Sequence, residues 1–115
     1  ERMLQKLERR AASHRLANVS TVHAAAGGAS LPAGYFHLAL LASVVGEIPP
    51  SARQGAVREI ADALEPGGTL AVSEGRPDPH RQSKEAILTL TDAAGLRFER
   101  SDPVWLGFLL QVRKP

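Results

Sequence analysis

A chain of 115 residues has room for one domain with one core, and its 43% hydrophobic and 23% charged residues are the balance of an ordinary globular protein. The absence of cysteine excludes disulfides and thiolate metal sites and fits a cytoplasmic setting. A net charge of +2 and a pI near 9.5 raise the question of nucleic acid. The cations, however, alternate with acids, as in Glu8-Arg9-Arg10 and Arg97-Phe98-Glu99-Arg100. The five aromatics (Tyr35, Phe36, Phe98, Trp105, Phe108) are not interleaved with them, as a base-stacking platform requires. The longest apolar run, 36–45, is broken by His37 and Ser43 and is too short to span a bilayer, and no signal peptide pattern opens the chain. Neither nucleic acid nor a membrane is therefore an expected partner.

In chain order, residues 1–15 read as a surface helix with Met3, Leu4, Leu7, Ala11 and Ala12 on one face. Asn18 can end it, and residues 19–22, Val-Ser-Thr-Val, read as a short strand. Residues 24–34 form a loop of small residues holding Gly27 and Gly28. Residues 36–42 are almost continuously apolar, as in a strand buried on both faces of a parallel sheet. Glu47-Ile48-Pro49-Pro50 breaks the chain, and Ser51 is the expected N-cap of a helix over 51–64, where Ala56, Val57, Ile60, Ala61 and Leu64 recur at helical spacing. Pro66 cannot extend that helix, and Gly67 and Gly68 supply the φ freedom for a reversal into a strand over 69–72. After a polar loop at 75–82, Ser83 caps a helix running to about Ala94 and closed by Gly95. Residues 96–100 and 107–112 are the last strands, and 101–106 reads either as a loop or as the start of a strand. Strand, helix, turn and strand make a βαβ unit, so one α/β domain over residues 1–115 is expected.

These words, in this order, resemble the small-molecule branch of class I S-adenosylmethionine-dependent methyltransferases. Met3-Leu4 and Leu16-Ala17-Asn18-Val19 look like the helix after the second family strand and the entry to the third. Leu31-Pro32 and Tyr35-Phe36, leading into Leu38-Ala39-Leu40-Leu41, look like the approach to the fourth. Arg58-Glu59-Ile60-Ala61 with Leu64-Glu65-Pro66-Gly67-Gly68 looks like the next helix and its closing turn, and Ala93-Ala94-Gly95-Leu96 before Phe98 like the last helix running into the sixth strand. The resemblance implies a Rossmann-like fold that is incomplete, lacking the first two strands and their glycine-rich loop. It implies S-adenosyl-L-methionine as cofactor, with the main binding loop and the ribose-binding acid outside this chain. It also implies parallel strands at 36–42 and 69–72, a last strand inserted antiparallel beside the second, and the 19–22 strand standing apart. An unpaired edge on 36–42 would invite self-association or pairing with a complementing N-terminal segment.

By the same resemblance, Gly27 and Gly28 face adenine, with Gly27 where the family often has Asp, and Ala42 and Ser43 wall the methionine part. A turn and a strand terminator are the plainer readings of those pairs. His37 stands where an Asp commonly follows the strand-opening Phe. Glu47, just past a strand end, could orient or deprotonate a nucleophile or could be a solvated loop residue, and Glu74 ends the next strand with the same logic. His14, His23, His37 and His80 lack metal-ligand spacing, so no metal is expected. Two functions follow: part of a methyltransferase acting on a small-molecule acceptor, or a methyltransferase-like module that binds or scaffolds without catalysis.

Overall fold

The computed structural model of the chain describes residues 2–115, so Glu1 at the head of the expected first helix lies outside the described residues. The elements are α1 (Arg2–Ser13), β1 (Phe36–Ala42), a 3-10 turn (Val45–Glu47), α2 (Pro50–Ala63), β2 (Leu64–Gly75), α3 (Lys84–Ala93), β3 (Arg97–Val104) and β4 (Gly107–Arg113). One four-stranded sheet has the order β1-β2-β4-β3. β1 and β2 run parallel, joined by the α2 crossover, whereas β4 is antiparallel to both of its neighbours. This mixed order is the one that the resemblance implied.

The register sorts the side chains into two faces, because paired residues point the same way. Ala39 and Leu41 stand beside Leu70 and Val72, which in turn pair with Val112 and Leu110. These residues meet Ala61 of α2, Ile87 of α3 and Leu96 in the core. On the opposite face, Leu38 and Leu40 pair with Thr69 and Ala71. Both leucines are 62% exposed. The expectation that 36–42 is covered on both faces therefore fails on one of them, for a simple reason. α2 and α3 contribute the core from one side, and the apolar face of α1, with Met3 and Leu7 exposed, does not cover the other.

Three local expectations also change. Residues 19–22 form no strand, and Val19 and Val22 are exposed. Extended backbone needs a partner for its N–H and C=O groups, and among the described residues no strand lies beside this segment. Second, α2 begins at Pro50, with Pro49 rather than Ser51 at the cap position. A proline at the first helical position brings a preset φ and has no N–H to satisfy, so no side-chain cap is required. Third, the Pro66-Gly67-Gly68 reversal lies inside β2 as an irregularity, between the pairs Phe36↔Leu64 and Leu38↔Thr69. Gly67 takes a φ of +84° there, and its N–H donates to the Lys114 carbonyl at 2.8 Å.

Other signals resolve as read. The Ser83 side chain accepts from the Ala86 N–H at 3.1 Å, and Gly95, at φ +81°, follows the end of α3. Residues 101–106 follow neither reading whole: 101–104 continue β3, whose ladder with β4 holds them extended, and Trp105 and Leu106 make the hairpin turn into β4. No helix among the described residues is long and apolar enough to cross a membrane.

Candidate active site

Open parallel sheets offer ligands the rim at the carboxyl ends of their strands, because the chain leaves the sheet there in diverging loops. Here that rim is set by Ala42 on β1 and by Ser73 to Gly75 on β2. The Ser43 N–H donates to the Ser73 carbonyl at 2.9 Å, so the two strand ends stay tied as the chain turns away. Ser43 makes that turn at a φ of +55°, a region that favours glycine. With Ala42 also exposed, the rim carries two small side chains and accessible backbone.

The structure brings Ala42 and Ser43 together but places the glycines elsewhere. Gly27, at φ +84°, lies against α2, where a Cβ would meet the Ala56 nitrogen at 3.6 Å. The Gly28 N–H closes a turn on the Ala25 carbonyl at 2.9 Å, and the Ala29 N–H donates to Glu59 Oε1 at 3.3 Å. Ser43 lines an open recess of about 210 Å³ with Ser73, Glu74 and Trp105, and none of Gly27, Gly28 or Glu47 lines it. Glu47 is exposed in the 3-10 turn, its amide bonded to the Val44 carbonyl. His37 is exposed and pairs with Glu65, Nδ1 to Oε1 at 2.6 Å. Among the described residues no three His, Asp or Glu side chains converge as a metal site would need.

The residue that the geometry singles out is Glu74. It is only 2% exposed. Oε1 accepts from the Gln82 N–H at 2.6 Å, while Oε2 is buried with no partner. Burial is the largest influence on this carboxyl and raises its pKa, opposed by the Gln82 hydrogen bond; Asp78 raises it further and Arg53 lowers it. A signal for this was present in the sequence as strand parity. Leu70, Val72 and Glu74 alternate onto one face, so an inward-facing strand that starts with Leu and Val must also bury Glu74.

Arg53 holds the surroundings of Glu74. Its Nε donates to the carbonyls of Val45 (3.0 Å) and Ile48 (2.9 Å), and Nη2 to that of Gly46 (3.2 Å). Its Nη1 reaches Gln82 Oε1 at 3.3 Å, and Gln82 Nε2 donates to the His80 carbonyl at 3.0 Å. One guanidinium from α2 thus joins the loop after β1 to the loop after β2. Beside Glu74 opens a second cavity, of about 480 Å³, bounded by the 75–82 loop and the start of β4.

The raised pKa has a consequence for stability with a definite sign. Between the unfolded and the folded pKa the native state holds more protons, so stability falls as pH rises through this window. Glu74→Gln keeps an oxygen for the Gln82 N–H and removes the buried charge. The Tm of the variant minus that of the wild type is therefore expected to grow from pH 4 to pH 7. A constant difference across that range would show that the carboxyl titrates normally.

The model of a methyltransferase domain family matches residues 1–68. Among solved structures, an S-adenosylmethionine-dependent methyltransferase from Aquifex aeolicus superposes with a TM-score of 0.87 at 18% identity, covering 100% of this chain and 65% of that one. The 1,6-didemethyltoxoflavin-N1-methyltransferase of Burkholderia thailandensis, solved with 1,6-didemethyltoxoflavin and S-adenosylhomocysteine, gives 0.74 at 20% identity over 93% and 56% of the two chains. The [4+2]-cyclase SpnF gives 0.79 at 19% identity over 94% and 60%. At such identities the likeness is one of fold, and the chain spans 65% or less of these three proteins. A comparison with curated proteins finds no match. The sheet order and the matched residues agree, and the chain belongs to the methyltransferase domain family, with the fold of the S-adenosylmethionine-dependent enzymes.

Proposed function

We propose that residues 1–115 are the C-terminal part of the catalytic domain of an S-adenosylmethionine-dependent methyltransferase, acting on a small-molecule acceptor. The observation that carries this reading is the sheet: two parallel strands, then a last strand inserted antiparallel beside the second, in a chain whose first 68 residues match the family. The absence of cysteine supports a cytoplasmic setting.

The residues present fit one flank of the cofactor. Ala42 and the left-handed Ser43 leave the rim of β1 open, as a wall for the methionine part requires. Gly27 and Gly28, which lie apart from that rim in the 24–34 loop, are assigned to the adenine side by the family resemblance alone. S-adenosylmethionine supplies an already activated methyl group, so positioning of the acceptor dominates the chemistry left to the protein. In this reading Glu47, exposed in the turn after β1, is the residue assigned to orient or deprotonate a nucleophile. The glycine loop and the ribose-binding acid belong, in this reading, to a preceding segment that also covers the open face of β1.

Each lost charge-assisted bond to ribose is worth about 1.5–3 kcal/mol, so residues 1–115 alone are expected to show no micromolar binding of S-adenosylhomocysteine in a calorimetric titration. Fusing a segment that carries the family's first two strands ahead of the chain is expected to restore it. Micromolar binding by the lone chain would overturn the division of the site. No binding after completion would favour the second reading, a non-catalytic module, to which the exposed His37–Glu65 pair at a family acidic position already points.

A further inference from the structure

The cavity beside Glu74 rests on the reading above for its reaction but not for its ligand. Its volume of about 480 Å³ lies within the roughly 300–1,000 Å³ common for small-molecule sites. Gly75 and Gly107 line it with backbone alone, and Phe108 gives it an apolar wall. Arg76 and Arg81, both exposed, also line it, and Lys84 Nζ lies 5.8 Å from the Phe108 ring centre. Glu74, Gly75 and Arg76 also line the recess that holds Ser43, so the larger cavity adjoins the strand rim where the methyl donor is proposed to sit.

A buried carboxylate oxygen without a donor is costly, and a donor entering from the cavity that Glu74 lines would relieve that cost. We infer that this cavity holds the methyl acceptor, a small molecule with an O–H or N–H group that donates to Glu74 Oε2 and an anionic group that meets Arg76 and Arg81. Gln82 fixes the other carboxylate oxygen, so Oε2 is presented in one orientation. Guanidinium groups suit a carboxylate or phosphate at the outer end. Glu74 selects the acceptor by the hydrogen that it offers, and the arginines select it by charge.

The test uses the chain as it is, without cofactor, and reads amide shifts by NMR, with the Gln82 amide as reporter. The probes are 4-hydroxybenzoate, benzoate (no hydroxyl) and phenol (no carboxylate). 4-Hydroxybenzoate is expected to bind about tenfold or more tightly than benzoate, the scale of one hydrogen bond to a charged group. Glu74→Gln keeps its bond to Gln82 but replaces Oε2 with a donor, and is expected to erase that preference. A double change of Arg76→Gln and Arg81→Gln is expected to weaken 4-hydroxybenzoate and leave phenol unaffected. No binding of any probe, equal binding of all three, or a preference that survives Glu74→Gln would each overturn the inference. Because no cofactor takes part, a failure of the S-adenosylhomocysteine titration leaves this result standing, and the reverse also holds.

Discussion

Leu110→Ala is expected to destabilise the chain by about 2–5 kcal/mol, the range for removing a large buried aliphatic side chain. Leu110 is fully buried on β4, between Val72 of β2 and Ser101 of β3, and it belongs to the central cluster with Leu70 and Ile87. Single domains are stable by only about 5–15 kcal/mol in total, so such a loss removes a large share. The measurement is urea unfolding, where the midpoint should fall with an unchanged slope. Leu40→Ala on the open face is the matched control, with a change of at most about 0.5 kcal/mol for an exposed site. Equal effects of the two substitutions would mean that β4 does not lie at the centre of the sheet.

Gly107→Ala is expected to do comparable damage by the opposite route, crowding instead of a void. Gly75 and Gly107 face each other at the last rung of the β2–β4 ladder. A Cβ on Gly107 would collide with the Glu74 carbonyl oxygen and approach Gly75 Cα to 2.7 Å. Both are backbone atoms and cannot rotate away. The strands would have to part, and overpacking of this kind typically costs about 1–3 kcal/mol. The parting would begin beside Glu74, so the damage reaches the site before the core. Hydrogen exchange checks this directly. The Arg76 N–H, which donates to the Leu106 carbonyl at 2.9 Å, should lose protection in the variant. Unchanged protection of Arg76 together with an unchanged urea midpoint would contradict the close approach.

How far the sequence could be read depended on where each element gets its stability. Residues 36–42 and 51–64 were legible because a continuous apolar run and a helical apolar spacing are each the local image of the core that they enter. Ser83 and Gly95 were legible because caps act over one turn of chain. Residues 19–22 have strand composition, but a strand also needs a neighbour, and composition carries no information about neighbours. The exposure of Leu38 and Leu40 escaped for the same reason, since an apolar run does not reveal how many layers cover it. The place of β4 came from family resemblance, not from any local pattern. Glu74 is a candidate in the sequence, but its burial is not read there. Its parity with Leu70 and Val72 puts it inside, whereas its place at a strand end, taken alone, sets it level with the exposed Glu47.

The position of β4 also sets a timetable. β3 precedes β4 in the chain but touches the sheet only through it. As the polypeptide leaves the ribosome, β1, α2 and β2 emerge in that order. β3 emerges next with no strand to join, and the inner edge of β2 stays bare until 107–113 arrives. Arrival of that segment pairs both strands in one step and brings Lys114 to the Gly67 and Gly68 backbone, latching it in place. Until residues 107–113 leave the ribosome, the nascent chain keeps an open sheet edge, the stage at which a chaperone has most to protect.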